Sequence, residues 1–286
     1  GTLTQSDSTA PISLSGTGTD LPGEALSYRW AFGDGATGAG QSLSHTYNDD
    51  GIYSATLTVT DDRGASGTDT AIVTIHNVAP SVTAPGNQTA DEGAAASFSL
   101  GSFADPGDDA PWAAHVDWGD GSSDLIPGLA VAGALPNRTH VYGRDGSYTV
   151  TIRVSDKDGA TGTASSSVVV RNVAPHLSGQ FDQLAAEGTL TSFNLGAFAD
   201  PGADSPWQVR VEWGDGSALE SFTTGAPGAL GFRAHAYDDD GGYTVRVTVT
   251  DDSGADDTAS FRAIVRNVAP AVTIDPHVAW GPSGTQ

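Results

Sequence analysis

Thirty-five acidic side chains and seven histidines are spread over 286 residues, and three of the histidines, His45, His140 and His235, recur at domain-length intervals. Catalysis by such groups needs a nucleophile beside a base, a metal constellation or two converging carboxylates. The chain contains no His-Glu-x-x-His, no Gly-x-Ser-x-Gly and no phosphate-cradling glycine loop. Its carboxylates fall at turns, where Asp caps backbone groups. One His per repeat cannot gather round a single ion, so each is expected to make a structural hydrogen bond. The chain therefore reads as a non-enzyme. Pro111-Trp112 and Pro206-Trp207 offer two alternatives, an aromatic face for stacking on a sugar or a ring lying across the end of its own domain. Asn87-Gln88-Thr89 and Asn137-Arg138-Thr139 match the glycosylation acceptor pattern.

The formal net charge of −23, with only 12 Lys and Arg, excludes a nucleic-acid binder, which must neutralise phosphates with basic side chains. Cations are the natural partners of such a surface. Without Cys there is neither a disulfide framework nor a thiolate site. No run of 18 apolar residues predicts a membrane span, and no leader opens the chain. The lack of any Met points to a processed chain or an excised piece.

The elements that must position these groups are strands. Gly 37 and Pro 15, with thin helix formers and a single Lys at Lys157, describe short strands joined by tight turns. Asn-Val-Ala-Pro begins at Asn77, Asn172 and Asn267, a period of 95 residues. Phe103-Ala104-Asp105-Pro106-Gly107 recurs as Phe198-Ala199-Asp200-Pro201-Gly202, and Trp118-Gly119-Asp120-Gly121 as Trp213-Gly214-Asp215-Gly216. The first unit keeps the later markers in register, Tyr47 with Tyr142 and Tyr237, and Tyr53 with Tyr148 and Tyr243. Its Trp30-to-His45 stretch is seven residues shorter than Trp118-to-His140. Runs such as Tyr148-Thr149-Val150-Thr151-Ile152-Arg153-Val154 alternate apolar and polar side chains, the mark of a half-buried strand. About seven strands per unit fit a β-sandwich. Trp30, Trp118 and Trp213 are the expected large core residues, and Tyr47, Tyr142 and Tyr237 are expected to pin a loop through their hydroxyls.

Trp30-Ala31-Phe32-Gly33-Asp34-Gly35, followed by His45-x-Tyr47, Gly51-x-Tyr53 and a Thr-Leu-Thr-Val-Thr-Asp61 strand, resembles the PKD (polycystic kidney disease) domain family, and the other units carry the same markers. The resemblance implies an all-β fold of three tandem immunoglobulin-like sandwiches in a linear rod, with boundaries at 1–79, 80–174 and 175–269. It also implies an extracellular, cell-surface, non-catalytic role as an acidic stalk, spacer or adhesive fibre, with copies of itself or other surface proteins as partners. The alternative is a carbohydrate-binding accessory of a secreted hydrolase, meeting polysaccharide through Trp112 and Trp207. Some members bind calcium near the domain junction through a leading Asn, an acidic loop and an Asp after the long strand. That pattern maps to Asn77, Asp105, Asp108 and Asp156 in the second unit, and to Asn172, Asp200, Asp204 and Asp251 in the third.

The second and third units open with a short strand, Ser81-Val82-Thr83 and His176-Leu177-Ser178, ahead of Glu92-Gly93 and Glu187-Gly188. The first unit begins at Gly1-Thr2-Leu3-Thr4, which reads as the stretch just after that turn, so its first strand is missing and one sheet edge is expected to be open. Residues 270–286, with Ala271, Val272, Thr273 and Ile274, read either as the first strand of a further unit or as a donor strand for another copy, assembling head to tail into a filament.

Overall fold

Period-two alternation is realised as strands throughout the computed structural model, which describes residues 1–6 and 10–274. Among those residues the first sandwich contains β1 (Thr2–Ser6), β2 (Ile12–Ser15), β3 (Ser27–Ala31), β4 (Thr37–Ala39), β5 (Ser42–His45), β6 (Gly51–Thr60) and β7 (Ser66–His76). The second contains β8 (Ser81–Thr83), β9 (Gln88–Asp91), β10 (Ala96–Phe98), β11 (Ser102–Ala104), β12 (Trp112–Asp117), β13 (Ser123–Leu129), β14 (Gly133–Ala134), β15 (Arg138–His140), β16 (Gly146–Ser155) and β17 (Thr161–Arg171). The third repeats these as β18 (His176–Ser178), β19 (Gln183–Ala186), β20 (Thr191–Asn194), β21 (Ala197–Ala199), β22 (Trp207–Glu212), β23 (Glu220–Thr224), β24 (Gly228–Ala229), β25 (Phe232–His235), β26 (Gly241–Thr250) and β27 (Asp256–Arg266). No helix among the described residues is long and apolar enough to cross a membrane. The chain divides into two compact bodies, residues 1–171 with the first two sandwiches and 172–286 with the third.

Each sandwich has the same large sheet: β1-β7-β6-β3-β4, β9-β17-β16-β12-β13 and β19-β27-β26-β22-β23. Its first strand runs parallel to the last, Leu3 opposite Val73, Gln88 opposite Val168 and Gln183 opposite Ala263. The opposing layer is β2-β5 in the first sandwich. In the second it is β10-β15 with β8-β11-β14, and in the third β20-β25 with β18-β21-β24. Alternate residues of the long hairpins fill the core, Val150, Ile152 and Val154 in β16 and Val245, Val247 and Val249 in β26.

The register corrects two expectations for the first unit. Leu3 stands where Gln88 stands, so Gly1-Thr2-Leu3-Thr4 aligns with residues before the Glu92-Gly93 turn, not after it. Among the described residues the first sandwich has no strand corresponding to β8, β11 or β14. The second correction concerns Trp30, which pairs with Leu57 as Val116 pairs with Ile152. The counterpart of Trp118 and Trp213 is Phe32, so the shortened loop is counted from there. His45 follows Asp34 by 11 residues where His140 follows Asp120 by 20, nine fewer.

The aromatic-Gly-Asp-Gly turn is fixed by three side chains. The His ring lies flat on the aromatic, with centroids 4.5 Å apart for Trp118 and His140 and again for Trp213 and His235, and 3.8 Å for Phe32 and His45. The His Nε2 meets the turn Asp at 2.6–2.7 Å. The Tyr hydroxyl donates to the aromatic residue's carbonyl, Tyr142 to Trp118 at 3.1 Å and Tyr237 to Trp213 at 3.0 Å. Glycine is required after the aromatic. Gly119 has φ +81°, and a Cβ there would press on the Thr149 backbone at 2.6 Å.

Trp112 and Trp207 are 5% and 2% exposed, on the core face with Ala114 and Val116 and with Val209 and Val211. The structure corrects the sugar-platform reading, since neither ring offers a face to solvent. Trp207→Ala is expected to cost about 3–5 kcal/mol in chemical denaturation. Stability close to that of the parent would contradict the burial.

Burial alone would raise the Asp215 carboxyl, but hydrogen bonds from Ser217 and His235 outweigh it and bring it down to about 2. A folded-state pKa below the unfolded value contributes stability that is present above about pH 4 and lost as the pH falls toward 2. Asp215→Asn should cost about 1–2 kcal/mol at neutral pH and flatten the acid limb of the stability profile. An unchanged limb would show that the turn does not report on this carboxylate.

Candidate cation sites at the Asn-Val-Ala-Pro linkers

The long hairpin of each sandwich ends in an Asp that closes its turn. Asp156 Oδ1 accepts the N–H groups of Asp158 at 3.0 Å and Ala160 at 2.8 Å, and Asp251 Oδ1 accepts that of Ala255 at 2.8 Å. The other oxygen takes the linker amide. Asn77 Nδ2 donates to Asp156 Oδ2 at 3.1 Å, and Asn172 Nδ2 to Asp251 Oδ2 at 2.9 Å. The leading Asn and the strand-end Asp are thus brought together in both copies.

The acidic loop supplies the rest. Asp105 and Asp200 each use Oδ2 to accept the indole N–H of Trp112 or Trp207 at 2.7 Å, so the buried Trp positions the carboxylate. Four residues on lie Asp109 and Asp204, both with no exposed surface. Asp200, Asp204 and Asp251 each offer an oxygen within 4.8 Å of the others. Here the structure corrects one residue of the sequence reading. In the second sandwich Asp108 faces solvent and contributes only its backbone N–H, which donates to the Asn48 carbonyl at 2.8 Å. Asp109 stands at the sequence position of Asp204 and is as fully buried, and it offers an oxygen to a group with Asp49, Asp50 and Asp158. The signal was present in the sequence, since Asp105 to Asp109 repeats the spacing of Asp200 to Asp204.

These clusters hold more acceptors than donors. Asn77 Oδ1, Asp105 Oδ1, Asp109 Oδ2 and Asn172 Oδ1 are buried and accept no hydrogen bond. Burial raises the Asp105 carboxyl; the bond from Trp112 opposes that, and the charges of Asp109 and Asp156 add to it. A cation is the chemical complement of such oxygens, and separate loops contributing carboxylate and amide oxygens suit a hard ion such as calcium.

In the second sandwich one positive charge is built in. Lys157 Nζ donates to Asp109 Oδ1 at 2.8 Å, to Asp158 Oδ2 at 2.7 Å and, reaching the first sandwich within the same body, to Asp49 Oδ1 at 2.7 Å. Burial would lower its pKa, but the three carboxylates outweigh burial and raise it, so the ammonium is permanent. It is the chain's only Lys, and the sequence by itself marks it as nothing more than a compositional rarity. The first sandwich has a related group, Asp20, Glu24 and Asp61, which no motif in the sequence marks. There Arg63 Nη1 meets Glu24 Oε1 at 3.0 Å, and partial burial with the Asp20 and Asp61 charges raises the Glu24 carboxyl.

Comparison with known proteins fits this architecture. The family model described as PKD domain matches residues 1–75, 77–170 and 172–265. A pre-pro-metalloprotease of Vibrio cholerae serotype O1 is 46% identical over 52 residues, 18% of this chain and 6% of that protein. A microbial collagenase of Vibrio alginolyticus is 39% identical over 67 residues, 23% of this chain and 8% of the relative. A collagenase of Bacillus cereus is 40% identical over 53 residues, 18% and 6%. The matched stretch is thus a small part of each relative's length. Among solved structures, a tetra-tandem repeat from the extending region of a large adhesion protein is 20% identical with a TM-score of 0.44, covering 92% of this chain and 74% of that one. The human desmocollin-1 ectodomain is 12% identical with a TM-score of 0.30, covering 93% and 60%. With the family model matched three times over nearly its whole length, the chain belongs to the PKD domain family.

Proposed function

We infer that this chain is a non-catalytic extracellular repeat segment that spaces or presents its neighbours, and that calcium held at the linker clusters stiffens it. The observation that carries this reading is the set of buried, unpartnered oxygens on Asn77, Asp105 and Asp109, repeated at Asn172 Oδ1 in the third sandwich. Asn172, Asp200, Asp204 and Asp251 would hold one ion, and Asn77, Asp105, Asp109 and Asp156 a second beside Lys157. The ion would offset carboxylate repulsion and couple the linker to the hairpin end. Family membership and the surplus of acid support an extracellular repeat role.

A second reading, an accessory segment of a secreted hydrolase, is favoured by the matches to a metalloprotease and to collagenases. It no longer runs through Trp112 and Trp207, and a hydrolase domain in the same gene product would support it.

The ion is tested by melting the chain in calcium and in chelator. Millimolar calcium should add about 2–3 kcal/mol if present at about a hundred times its dissociation constant, and Asn172→Ala with Asp109→Asn should remove most of the gain. Equal melting temperatures in the two buffers would remove calcium from the function.

Lys157→Met leaves Asp109 buried without its ammonium. It should destabilise the first body by about 3 kcal/mol in chelator, with part of the loss restored by calcium. No loss would mean that the ammonium is not needed to neutralise that cluster.

A further inference from the structure

The outer face of the large sheet in the third sandwich collects basic side chains, in a chain with 35 acids against 12 Lys and Arg. Arg210, Arg246 and Arg262 are exposed. Each alternates with buried core residues, Val209 and Val211 in β22, Val245 and Val247 in β26, and Phe261 and Ala263 in β27. These three strands are neighbours in the sheet. Arg210 stands opposite Thr248 and Arg246 opposite Glu212, so the two arginines are diagonal neighbours. Arg246 stands opposite Ser260 and Arg262 opposite Thr244, which repeats the same diagonal. Diagonal neighbours on one face lie roughly 7–8 Å apart, so the three form a stripe about 15 Å long.

Among the described residues none of these three guanidinium groups forms an ion pair, whereas those of Arg63, Arg171 and Arg233 do. Arg210 Nη2 donates to Gln208 Oε1 at 3.1 Å. Arg262 lies across the bare backbone of Gly242, where a Cβ would strike its Nη2, and its backbone N–H donates to Asp182 Oδ1 at 2.9 Å. The fold does not require arginine at these places. The same register positions hold His115, Thr151 and Ser167 in the second sandwich, and Arg29, Thr56 and Ile72 in the first. The complete stripe is therefore particular to the third sandwich, added to a frame that forms without it.

We propose that this stripe binds an anionic polysaccharide, one bearing carboxylate or sulfate groups. The guanidinium fork takes either group with two parallel N–H donors. Thr244, Thr248, Thr258 and Ser260 share the face and supply hydroxyls to meet those of the sugar. The face fits a protein partner less well, because the centre of a protein interface is apolar and depleted of charge. Here the large apolar side chains, Leu184 and Ile264, stand opposite each other at one end of the stripe. The acidity of the chain does not forbid the contact, since at physiological salt charges beyond about 8 Å are largely screened. Glu212 and Asp182 flank Arg246 and Arg262, which favours a linear ligand laid along the diagonal over one that covers the whole face. The stripe contains no residue of the linker clusters, so the proposal is independent of calcium.

Affinity electrophoresis of the 286-residue chain in gels carrying polygalacturonate, dextran sulfate or neutral dextran tests it, with chelator present so that no metal bridges protein and polymer. Retardation is expected with a polyanion and not with neutral dextran, and it should fade as salt is added. Polygalacturonate alone would identify a carboxylate ligand, dextran sulfate alone a sulfate. Arg246→Thr with Arg262→Ser, which installs the side chains of the second sandwich, should weaken binding at least about tenfold with the melting temperature unchanged. Arg210→His at about pH 8, where an ordinary imidazole is neutral, should weaken it independently. Retardation by neither polyanion, or equally by neutral dextran, would overturn the proposal. So would binding undiminished in both variants. Concentration-dependent self-association that the double variant abolishes would also overturn it, and would assign the stripe to the acidic surface of a second copy.

Discussion

The bond from linker amide to strand-end carboxylate is the constraint on which the rest depends. Asp156 and Asp251 close the turn of the long hairpin with one oxygen and hold Asn77 or Asn172 with the other. That double duty fixes where the linker enters each sandwich. It also sets a carboxylate near the acidic loop, whose Asp105 or Asp200 is already held by a buried indole. Buried charge is costly unless paired. The fold has accepted that cost twice at corresponding places, which is why a cation is the economical reading of the surplus.

The second recurrent device is neutral in purpose. His on aromatic, His to Asp and Tyr to carbonyl recur in all three sandwiches, although the aromatic is Phe32 in the first and Trp in the others. In the first sandwich Trp30 occupies the position of Val116, which brings a large ring to a core that, among the described residues, has no counterparts of β8, β11 and β14. The turn is therefore preserved while the core around it is rebuilt, as expected when the Gly conformation and the His–Asp bond set the backbone and packing adapts around them.

Much of this was legible in the sequence. Period-two runs and the 95-residue repeat identified the strands, the three sandwiches and the positions of the structural His and Tyr residues. Within one unit, adjacent acids on a loop carry no periodicity to say which one turns inward, and only the repeat, in which Asp105 to Asp109 copies the spacing of Asp200 to Asp204, points to Asp109 over Asp108. Trp112 could have been placed inside, since it shares strand parity with Ala114 and Val116, but parity is persuasive only once the strand's start is known. The alignment of Gly1-Thr2-Leu3-Thr4 failed because Thr- and Ser-rich strands look alike and only parallel pairing with β7 fixes their register. The role of Lys157 is not legible in the sequence, because Asp109 and Asp49 lie 48 and 108 residues from it and only the fold brings them to its ammonium.

Crystals grown in calcium and measured for anomalous scattering would locate the ion directly. The linker clusters predict a peak bounded by Asn172 Oδ1 and the carboxylates of Asp200, Asp204 and Asp251, with a second beside Asp105 and Asp109. Density at neither position, in crystals whose Asn172 Oδ1 and Asp109 Oδ2 accept hydrogen bonds from ordered water instead, would contradict it.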